Sequence, residues 1–470
     1  FDAAAAKPET NAHLNTDEAK AVEGTQRGYL NFYDQDAVQP FVALAAKGPW
    51  IVTTTGSVVY DAGGYGMLGF GHNPDGPLAA MQAPQVMANI MTPSLEHTNF
   101  VNAIRNEIGH TRTADSPAGQ AAAAFGDTCP YESFVCLNSG SECNSLAMRI
   151  MDVDARKMTS AHDDGAPHPG RESVLVSLKG SFHGRTDRPA QASDSCQPAY
   201  RKYLASFRGD RQVLHTVEPN NVNQLREVFE EIDSKGLHVE AMLMEPVMGE
   251  GNPGVAITRD FYDTARELTD DYRSLLLVDS IQAGFRATGT LSIMDYPDFQ
   301  SAAPPDFETF SKSINAGQYP LSVLALGPRV PEIYMQGLYG NTMTTNPRAL
   351  SVACAVLNEF SPELRENIQS SGQYFKNALK KLGEANPDAI VDVTGTGLLV
   401  AAHLNPEWKV LGGPNSVERL CRKSGLNVIH GGANALRFTP WYHLSDTEVD
   451  MMMEILNDAF EQYRTLSSEQ

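Results

Sequence analysis

The sequence predicts an α/β protein built on a mostly parallel sheet. From about residue 75, helical patterns alternate with short apolar runs that lack polar alternation, which is typical of strands buried on both faces. These runs are Ser133–Leu137, Ser173–Leu178, Ala241–Met244, Ser274–Val278 and Leu321–Leu326. Glu245, Asp279 and Lys312 follow strands at intervals of 34 and 33 residues, about one strand–helix–strand unit each. Open α/β sheets bind ligands at such strand ends, so these residues indicate the expected site.

Charge and composition exclude several classes of function. The 470 residues carry 36 Lys+Arg against 57 Asp+Glu, a net charge of −21, so we expect no binding to nucleic acid or to an anionic membrane. No apolar run approaches the ~18 residues of a membrane span. The N-terminal residues also lack the basic and apolar regions of a signal peptide. Six cysteines are too few for a disulfide scaffold, so we predict separate reduced thiols and a cytoplasmic location.

The two ends of the chain have other patterns. Residues 1–25 are rich in Ala, Asn and charged residues and are expected to form a loosely held arm. A strand pair with a turn at Gly56 follows, and the region after residue 345 is predicted as a smaller domain. Its predicted elements are helices at Ala349–Phe360 and Glu363–Leu382, a strand-rich stretch at Ala389–Leu404 and a helix at Asp446–Leu466.

One motif points to a nucleotide but lacks the required context. Gly64-Tyr-Gly66-Met-Leu-Gly69 matches the G-x-G-x-x-G pattern and follows a strand. The dinucleotide fingerprint also needs a helix that begins at the third glycine, whereas Pro74 and Pro77 indicate a turn here. A nicotinamide enzyme is therefore disfavoured.

Two loops after predicted strands carry residues suited to a phosphorylated aromatic ligand. Gly140 and Ser141 open an amphipathic helix, where free backbone amides suit a phosphate. A plain N-cap by Ser139 or Ser141 is the alternative. Phe182 and Arg185 follow another strand, where the ring could stack and the guanidinium could bind a carboxylate. The alternative is an anchoring Phe and a solvated Arg.

Asp279 and Lys312 have the strongest chemical implications. A carboxylate at a buried strand end is costly unless it meets a cation or a strong donor. A desolvated lysine has a lowered pKa and can form a Schiff base. Each residue alone is explained by a structural role, but the ordered set of anion cradle, aromatic residue, Glu-Pro, Asp-x-x-Gln and Lys indicates one site.

At these residues the chain resembles the class III (ω-type) aminotransferases, pyridoxal-phosphate enzymes of fold type I. The matching stretches run from Tyr65-Gly-Met-Leu-Gly-Phe-Gly-His-Asn-Pro74 to Asn434-Ala-Leu-Arg437-Phe-Thr-Pro440. The resemblance implies a large cofactor-binding domain at 76–345 with a seven-stranded-type sheet. It also implies a smaller α+β domain formed by residues 26–75 and 346–470.

The resemblance implies a role for individual residues. Lys312 matches the Schiff-base lysine, and Asp279 matches the carboxylate that pairs with the pyridine nitrogen. Gln282 matches the neighbour of the phenolic oxygen, and Phe182 and Ile281 match the residues on the two ring faces. Gly140 and Ser141 match the residues whose amides bind the phosphate. Thr342 matches a threonine that reaches the phosphate of the neighbouring subunit. Tyr65, Arg185, Glu250 and Arg437 match substrate-pocket residues, with Glu250 able to mask an arginine. No metal site is predicted.

The implied reaction moves an amino group from an ω-amine, ω-amino acid or similar donor to a 2-oxo acid such as 2-oxoglutarate or pyruvate. It is a ping-pong reaction through pyridoxamine phosphate, in a homodimer with sites at the interface; a tetramer is left open. An aminomutase, racemase or decarboxylase would use the same cofactor residues but need no external oxo acid. A non-catalytic protein on this fold is disfavoured because Lys312 and Asp279 are intact.

Several positions depart from the family pattern. Ser280 stands where Glu is usual, Ala283 where Thr is usual and Met248 where Gln is usual. Thr344-Thr345 replaces a Gly pair. None removes the cofactor chemistry, but they surround the pocket, so the substrate and the arginine that binds its carboxylate are left open.

Overall fold

The computed structural model describes residues 17–33, 35–87, 90–112, 128–162, 165–207 and 212–468. Of the predicted N-terminal arm, residues 1–16 lie outside these ranges. The chain divides into two compact units. The first unit combines the residues up to Asp75 with Glu366–Gln470, and the second comprises Gly76–Arg365.

The strands of the described residues are, in chain order, β1 (Ala43–Lys47), β2 (Trp50–Thr53), β3 (Val58–Asp61), β4 (Ser133–Leu137), β5 (Glu172–Leu178), β6 (Leu214–Val217), β7 (Leu237–Met244), β8 (Leu275–Asp279), β9 (Phe307–Phe310), β10 (Ser322–Leu326), β11 (Ile390–Thr396), β12 (Leu399–Leu404), β13 (Leu426–Asn427), β14 (Ile429–Gly431) and β15 (Ala435–Phe438).

The α-helices of the described residues are α1 (Glu18–Gln26), α2 (Asp75–Gln82), α3 (Leu95–Glu107), α4 (Gly140–Thr159), α5 (Asp187–Ala192), α6 (Gln197–Tyr203), α7 (Val222–Ser234), α8 (Arg259–Asp271), α9 (Val330–Ile333), α10 (Pro347–Asn358), α11 (Pro362–Ala385), α12 (Val417–Lys423) and α13 (Asp446–Ser468). Short 3₁₀ turns include Ile293–Asp295 and Lys312–Asn315. None of these helices is long and apolar enough to cross a membrane.

The second unit contains a seven-stranded sheet in the order β4-β10-β9-β8-β7-β5-β6. Strands β5 to β9 pair with their neighbours in parallel, and β10 is antiparallel to both β4 and β9. Strand β4 therefore runs in the same direction as the parallel strands. The prediction of a mostly parallel sheet is confirmed.

Two details of the sheet differ from the sequence prediction. The run Leu321–Leu326 was expected among the parallel strands, but β10 is antiparallel. Residues 311–321 connect β9 to β10, and this connection is shorter than the dozen or so residues that a parallel crossover needs. Strand β6 was not predicted, because it is only four residues long and His215 and Thr216 interrupt its apolar pattern.

The core of the second unit holds the strand ends in place. Helix α4 packs on the sheet, and their side chains share one apolar cluster that includes Leu146, Ile150, Leu243, Leu277 and Leu324. Strands β8, β9 and β10 are buried along their whole length. Full burial of one such side chain stabilises by about 1.5–3 kcal/mol, so the framework beneath the strand ends is rigid.

The first unit contains two four-stranded sheets. One has the order β1-β2-β3-β13, where β13 from the C-terminal region pairs in parallel with β3. The other has the order β11-β12-β15-β14 and is antiparallel. The helix that a dinucleotide-binding motif would need at Gly69 is absent from the described residues, because the chain turns there and α2 begins only at Asp75.

Candidate active site

The carboxyl ends of β4, β5, β7, β8 and β9 lie at one edge of the seven-stranded sheet, because these strands run in the same direction. Strands β7, β8 and β9 are neighbours, with Met244 opposite Val278 and Asp279 opposite Thr309. The residues predicted to follow the strand ends, Glu245, Asp279 and Lys312, are therefore at this edge.

Asp279 is buried at the end of β8 and is surrounded by donors. Its Oδ2 accepts hydrogen bonds from Asn144 Nδ2 (2.8 Å) and from His183 Nδ1 (2.9 Å). Its Oδ1 accepts two longer bonds, from the Ile281 amide (3.2 Å) and the Thr309 hydroxyl (3.3 Å). The carboxylate is therefore held in one orientation, with Oδ1 more weakly bonded.

Asn144 and His183 were not among the predicted site residues. Both are buried, and Asn144 also donates to the His183 carbonyl (2.8 Å). Asn144 lies one helical turn after Gly140, and His183 follows the predicted stacking residue Phe182. A polar residue at i+4 from the helix start, and a histidine inside the loop motif, were the available signals. Within the described residues, His183 Nε2 and Asn144 Oδ1 have no hydrogen-bond partner.

The start of α4 has the geometry expected of an anion site. Ser139 caps the helix: its hydroxyl accepts the Glu142 amide (3.3 Å), and Glu142 Oε2 accepts the Ser139 amide (3.2 Å). This capping box uses neither the Gly140 amide nor the Ser141 amide. A Cβ at Gly140 would lie 2.5 Å from Ile281 Cδ1, so an alanine there would force the end of the Ile281 side chain to shift.

The loop after β5 packs against α4. The Thr186 hydroxyl bonds to the Ser145 hydroxyl (2.9 Å) and donates to the Ser141 carbonyl (3.3 Å). The amide of Phe182 donates to Glu245 Oε1 (3.0 Å), and the amide of Gly249 donates to Glu245 Oε2 (2.8 Å). The loops after β5 and β7 therefore share one carboxylate.

Gln282 is buried against the loop after β7. A Cβ at Gly249 would clash with the side-chain amide of Gln282, so the absence of a side chain there gives the amide its space. The structure thus brings Gly140 to Ile281 and Gly249 to Gln282, which agrees with a single site at the strand ends.

Arg185 is partly exposed and has several partners. Its guanidinium lies 3.5 Å from Glu250 Oε1, and its Cζ is 5.1 Å from the centroid of the Phe182 ring. Its Nη1 donates to Cys196 Sγ (3.3 Å), a contact that the sequence did not indicate. Tyr200 is beside the same pair: burial raises the pKa of Tyr200, and the neighbouring Cys196 raises it further.

Ser280, one of the departures from the family pattern, joins a buried polar network. Its hydroxyl donates to Glu308 Oε1 (2.5 Å), while Tyr131 and Ser292 donate to Oε2 (2.5 Å each). The Ile293 amide also donates to Oε1 (2.9 Å). Burial raises the pKa of Glu308, and these donors oppose the rise. The Glu308 carboxylate therefore lies on β9, next to β8, the strand that Ser280 follows.

Lys312 begins the 3₁₀ turn after β9. The hydroxyl of Ser311 and the side-chain amide of Asn315 both donate to the Leu321 carbonyl (3.1 and 2.8 Å), which closes the turn that carries the lysine. Thr342 lies exposed in the segment before α10. Its neighbour Asn341 donates to Glu142 Oε1 (2.8 Å), near the start of α4.

Tyr65 and Arg437 both belong to the first unit. Arg437 is buried on β15, and its Cζ is 5.5 Å from the centroid of the Tyr65 ring. Tyr33 stacks on Tyr65 with ring centroids 6.2 Å apart, a contact the sequence did not predict. Burial raises the pKa of Tyr65, and Tyr33 raises it further, whereas Arg437 lowers it.

A comparison with protein families matches residues 32–460 to the family described as "Aminotransferase class-III". The chain belongs to this family. It is therefore a pyridoxal-phosphate enzyme that transfers an amino group from an ω-amino donor to a 2-oxo acid. This result confirms the predicted family, enzyme class, cofactor and reaction.

Relatives in the family agree with this assignment. The chain is 31% identical over 320 residues to the acetylornithine aminotransferase of Xanthomonas axonopodis pv. citri, covering 68% of this chain and 72% of that protein. It is 28% identical over 415 residues to the succinylornithine transaminase of Citrobacter koseri, covering 88% and 91%.

Solved structures share the fold. The ornithine aminotransferase of Toxoplasma gondii ME49 superposes with a TM-score of 0.75 at 21% identity, over 98% of each chain. The N-acetylornithine aminotransferase of Stenotrophomonas maltophilia K279a superposes with a TM-score of 0.68 at 22% identity, over 94% and 99%. These similarities confirm the predicted fold class.

The second unit suits pyridoxal phosphate. The start of α4 suits a phosphate, because the capping box uses neither the Gly140 amide nor the Ser141 amide. The buried carboxylate of Asp279 suits a protonated ring nitrogen. Among the described residues, no group of three or more His, Cys, Asp and Glu could hold a metal ion.

Proposed function

We propose that the residues at the strand ends have the cofactor roles that the family resemblance implies. Lys312 holds the cofactor covalently, and Asp279 pairs with its ring nitrogen. Gln282 lies by its phenolic oxygen, and Phe182 and Ile281 cover the two faces of the ring. Gly140 and Ser141 bind the phosphate. The contacts of Ile281 with Gly140 and of Gln282 with Gly249 support this arrangement.

The chemistry that the bound cofactor supplies is an electron sink for the carbon that loses its proton. Lys312 would take the proton from the amine-bearing carbon of the donor as general base and then deliver it, as general acid, to the aldehyde carbon of the cofactor. Asp279 keeps the ring nitrogen protonated, and Asn144 and His183 hold the Asp279 carboxylate in position.

The donor we propose is an ω-amino acid that carries a carboxylate away from its reacting amine, and the acceptor is a dicarboxylic oxo acid such as 2-oxoglutarate. The observation that carries this proposal is the Arg185–Glu250 pair at 3.5 Å, beside Phe182. A guanidinium shared with a movable carboxylate can release to bind a substrate carboxylate. The ornithine-type substrates named for the relatives have such a carboxylate.

Tyr65 and Arg437 are the second proposed element for substrate binding. Arg437 carries a buried guanidinium against the Tyr65 ring, so it is oriented before any ligand arrives. Arg437 and Arg185 belong to different units of the chain, so they are two separate candidates for the carboxylates of the substrate.

The assembly we propose is a homodimer in which Thr342 of each subunit reaches the phosphate of its partner. Thr342 is exposed, and several apolar side chains of the same unit are more than half exposed, as expected of a surface covered in an oligomer. These side chains are Val86, Met87, Ile90, Met91, Leu95, Met335 and Met343. A cytoplasmic location is proposed because the six cysteines, all of them among the described residues, form no disulfide.

The test of this function is the Lys312→Ala variant. We expect transamination between an ω-amino acid and 2-oxoglutarate to fall by about 1,000-fold or more, because proton transfer is lost. Borohydride reduction of the wild type should fix the cofactor to the peptide that contains Lys312, as measured by mass spectrometry. The variant should show no such adduct.

Lys235→Ala is the matched control, because Lys235 is an exposed lysine that pairs with Glu231 on the surface of α7. It should retain both the activity and the adduct. Normal turnover by Lys312→Ala would contradict the role of this lysine. Turnover of the amine without any oxo acid would contradict amino transfer.

A further inference from the structure

Glu245 is a buried carboxylate that bonds to two separate loops. It follows β7 and is only 2% exposed. Its Oε1 accepts the amide of Phe182, and its Oε2 accepts the amide of Gly249. The first amide belongs to the loop after β5 and the second to the loop after β7, so one side chain connects the two.

These loops carry the two members of the proposed carboxylate-binding pair. Arg185 lies three residues after Phe182, and Glu250 directly follows Gly249. The guanidinium and the carboxylate are 3.5 Å apart. A change in the anchoring of either loop therefore alters the geometry of the pair, although Glu245 does not touch it.

We propose that Glu245 is a positioning residue that sets the affinity for substrates bearing a second carboxylate. It does so by holding the loop that carries Arg185 and the loop that carries Glu250 in a fixed position relative to each other. The inference rests on the proposed function of the Arg185–Glu250 pair and adds a residue that neither the family resemblance nor the comparisons assigned a role. It predicts that specificity depends on a side chain outside the pocket.

The charge on Glu245 makes this anchor sensitive to pH. The pKa of Glu245 is raised to about 7, mainly by burial; Asp279 contributes to the rise, whereas His183 and the two amide hydrogen bonds oppose it. His183 and Asp279 are the titratable groups that face it from the β5 loop and β8. A protonated carboxyl has one good acceptor oxygen, so one of the two amides then loses its partner.

The direction of the pH effect follows. Above pH 7 the ionised carboxylate accepts a hydrogen bond from each of the two amides, and both loops are held in place. As the pH falls below 7, one loop is released, and the KM for 2-oxoglutarate should rise relative to the KM for pyruvate, which has no second carboxylate. The kcat at saturating substrate should change much less.

The decisive experiment compares wild type with Glu245→Gln. Gln keeps one acceptor oxygen but places an N–H donor opposite the other amide. We expect the ratio of KM for 2-oxoglutarate to KM for pyruvate to rise about tenfold at pH 8 and to become independent of pH between 6 and 8. Hydrogen exchange, without cofactor, should be faster in peptides covering 180–186 and 247–252.

Glu240→Gln is the matched control, because Glu240 is a buried carboxylate on β7, the strand that Glu245 follows, and it pairs with Arg188 instead. It should change neither the KM ratio nor exchange in the two loops. An unchanged KM ratio in Glu245→Gln, or unchanged exchange in both loops, would overturn the inference. Failure of the wild type to use either oxo acid would instead refute the proposed function, while the exchange result still tests the anchor.

Discussion

The buried carboxylate of Asp279 is stabilised by hydrogen bonds from individual side chains. Asp279 would be expensive to bury alone, and Asn144 and His183 bond to the same oxygen at 2.8 and 2.9 Å. Asn144 lies in α4 and His183 lies in the loop after β5, and the sequence identified both segments for other reasons. The partners of a buried carboxylate therefore depend on which segments meet in space.

The Asp279→Asn variant tests the electrostatic role of this carboxylate. An amide has nearly the same size but no charge, so it cannot keep the ring nitrogen protonated. We expect the cofactor to remain bound and kcat to fall by about 100-fold or more, measured by steady-state kinetics at a fixed cofactor occupancy.

Asp295→Asn is the control for burial alone. Asp295 is a buried carboxylate that accepts the Gly109 and Thr111 amides away from the strand ends. This variant should lower the melting temperature but leave kcat per bound cofactor near the wild-type value. Equal kcat for Asp279→Asn and the wild type would contradict the assignment.

At the scale of elements, the start of α4 shows how a helix and a strand end produce a site together. The capping box of Ser139 and Glu142 defines where the helix begins. Ile281, from the turn after β8, then lies against Gly140. The helix start and β4 are predictable from the local pattern, but the approach of Ile281 is not.

Gly140→Ala should disturb this approach. The added Cβ would lie 2.5 Å from Ile281 Cδ1, which requires the side chain or the helix start to move. Overpacking of this kind costs about 1–3 kcal/mol, so we expect the Kd for pyridoxal phosphate to rise about tenfold in an absorbance titration. A Kd within twofold of wild type would show that the site has room for the methyl group.

Gly24→Ala is the control for this substitution. Gly24 lies in α1, with no atom within 4 Å of the added Cβ, so the same chemical change meets open space. The Kd for the cofactor should not change.

Most elements were predictable from periodicity and composition. The five apolar runs correspond to strands, and Asp446–Leu466 corresponds to α13. The direction of β10 was not predictable from its composition, because an apolar strand buried on both faces looks the same in either orientation. The length of the preceding connection determines it.

At the scale of the whole molecule, an excess of acidic residues coexists with anionic ligands. The net charge is −21, yet the proposed ligands are phosphate and carboxylate. The second unit provides local positive potential through Lys312, Arg185 and the start of α4. Nearby charges in a cleft outweigh distant ones that salt screens, so the acidic excess does not prevent anion binding.

The homodimer prediction can be tested by mixing an inactive variant with one whose cofactor binding is weakened. Lys312→Ala disables the site of its own subunit, whereas Thr342→Ala should weaken the partner's site. In a mixed dimer, one site then has an intact Lys312 and receives an intact Thr342 from the other subunit. At limiting cofactor, refolding the two variants together should restore up to about a quarter of the wild-type activity.

Mixing Lys312→Ala with Asp279→Asn is the control, because both residues serve the site of their own subunit and no intact site forms. Activity that stays at the level of the separate variants in the first mixture would contradict a site shared between subunits.

The sequence by itself determined the class of chemistry. A lysine, an aspartate, a glutamine and a helix start follow successive predicted strands, and in this order they resemble the class III aminotransferases, which implies a cofactor enzyme. The family match over residues 32–460 confirms that conclusion. The identity of the donor was not determined in this way, since Ser280 and Met248 depart from the family pattern.

Only the tertiary structure decided how the buried polar groups are satisfied. It placed His183 and Asn144 on Asp279, Cys196 on Arg185, and Glu245 between two loops. The bonds of Asp279 to Asn144 and His183, and that of Glu245 to Phe182, join residues 63 to 135 positions apart, and no local propensity encodes them. A buried polar group without a hydrogen bond costs free energy, and the packing of the unit determines which partners are within reach.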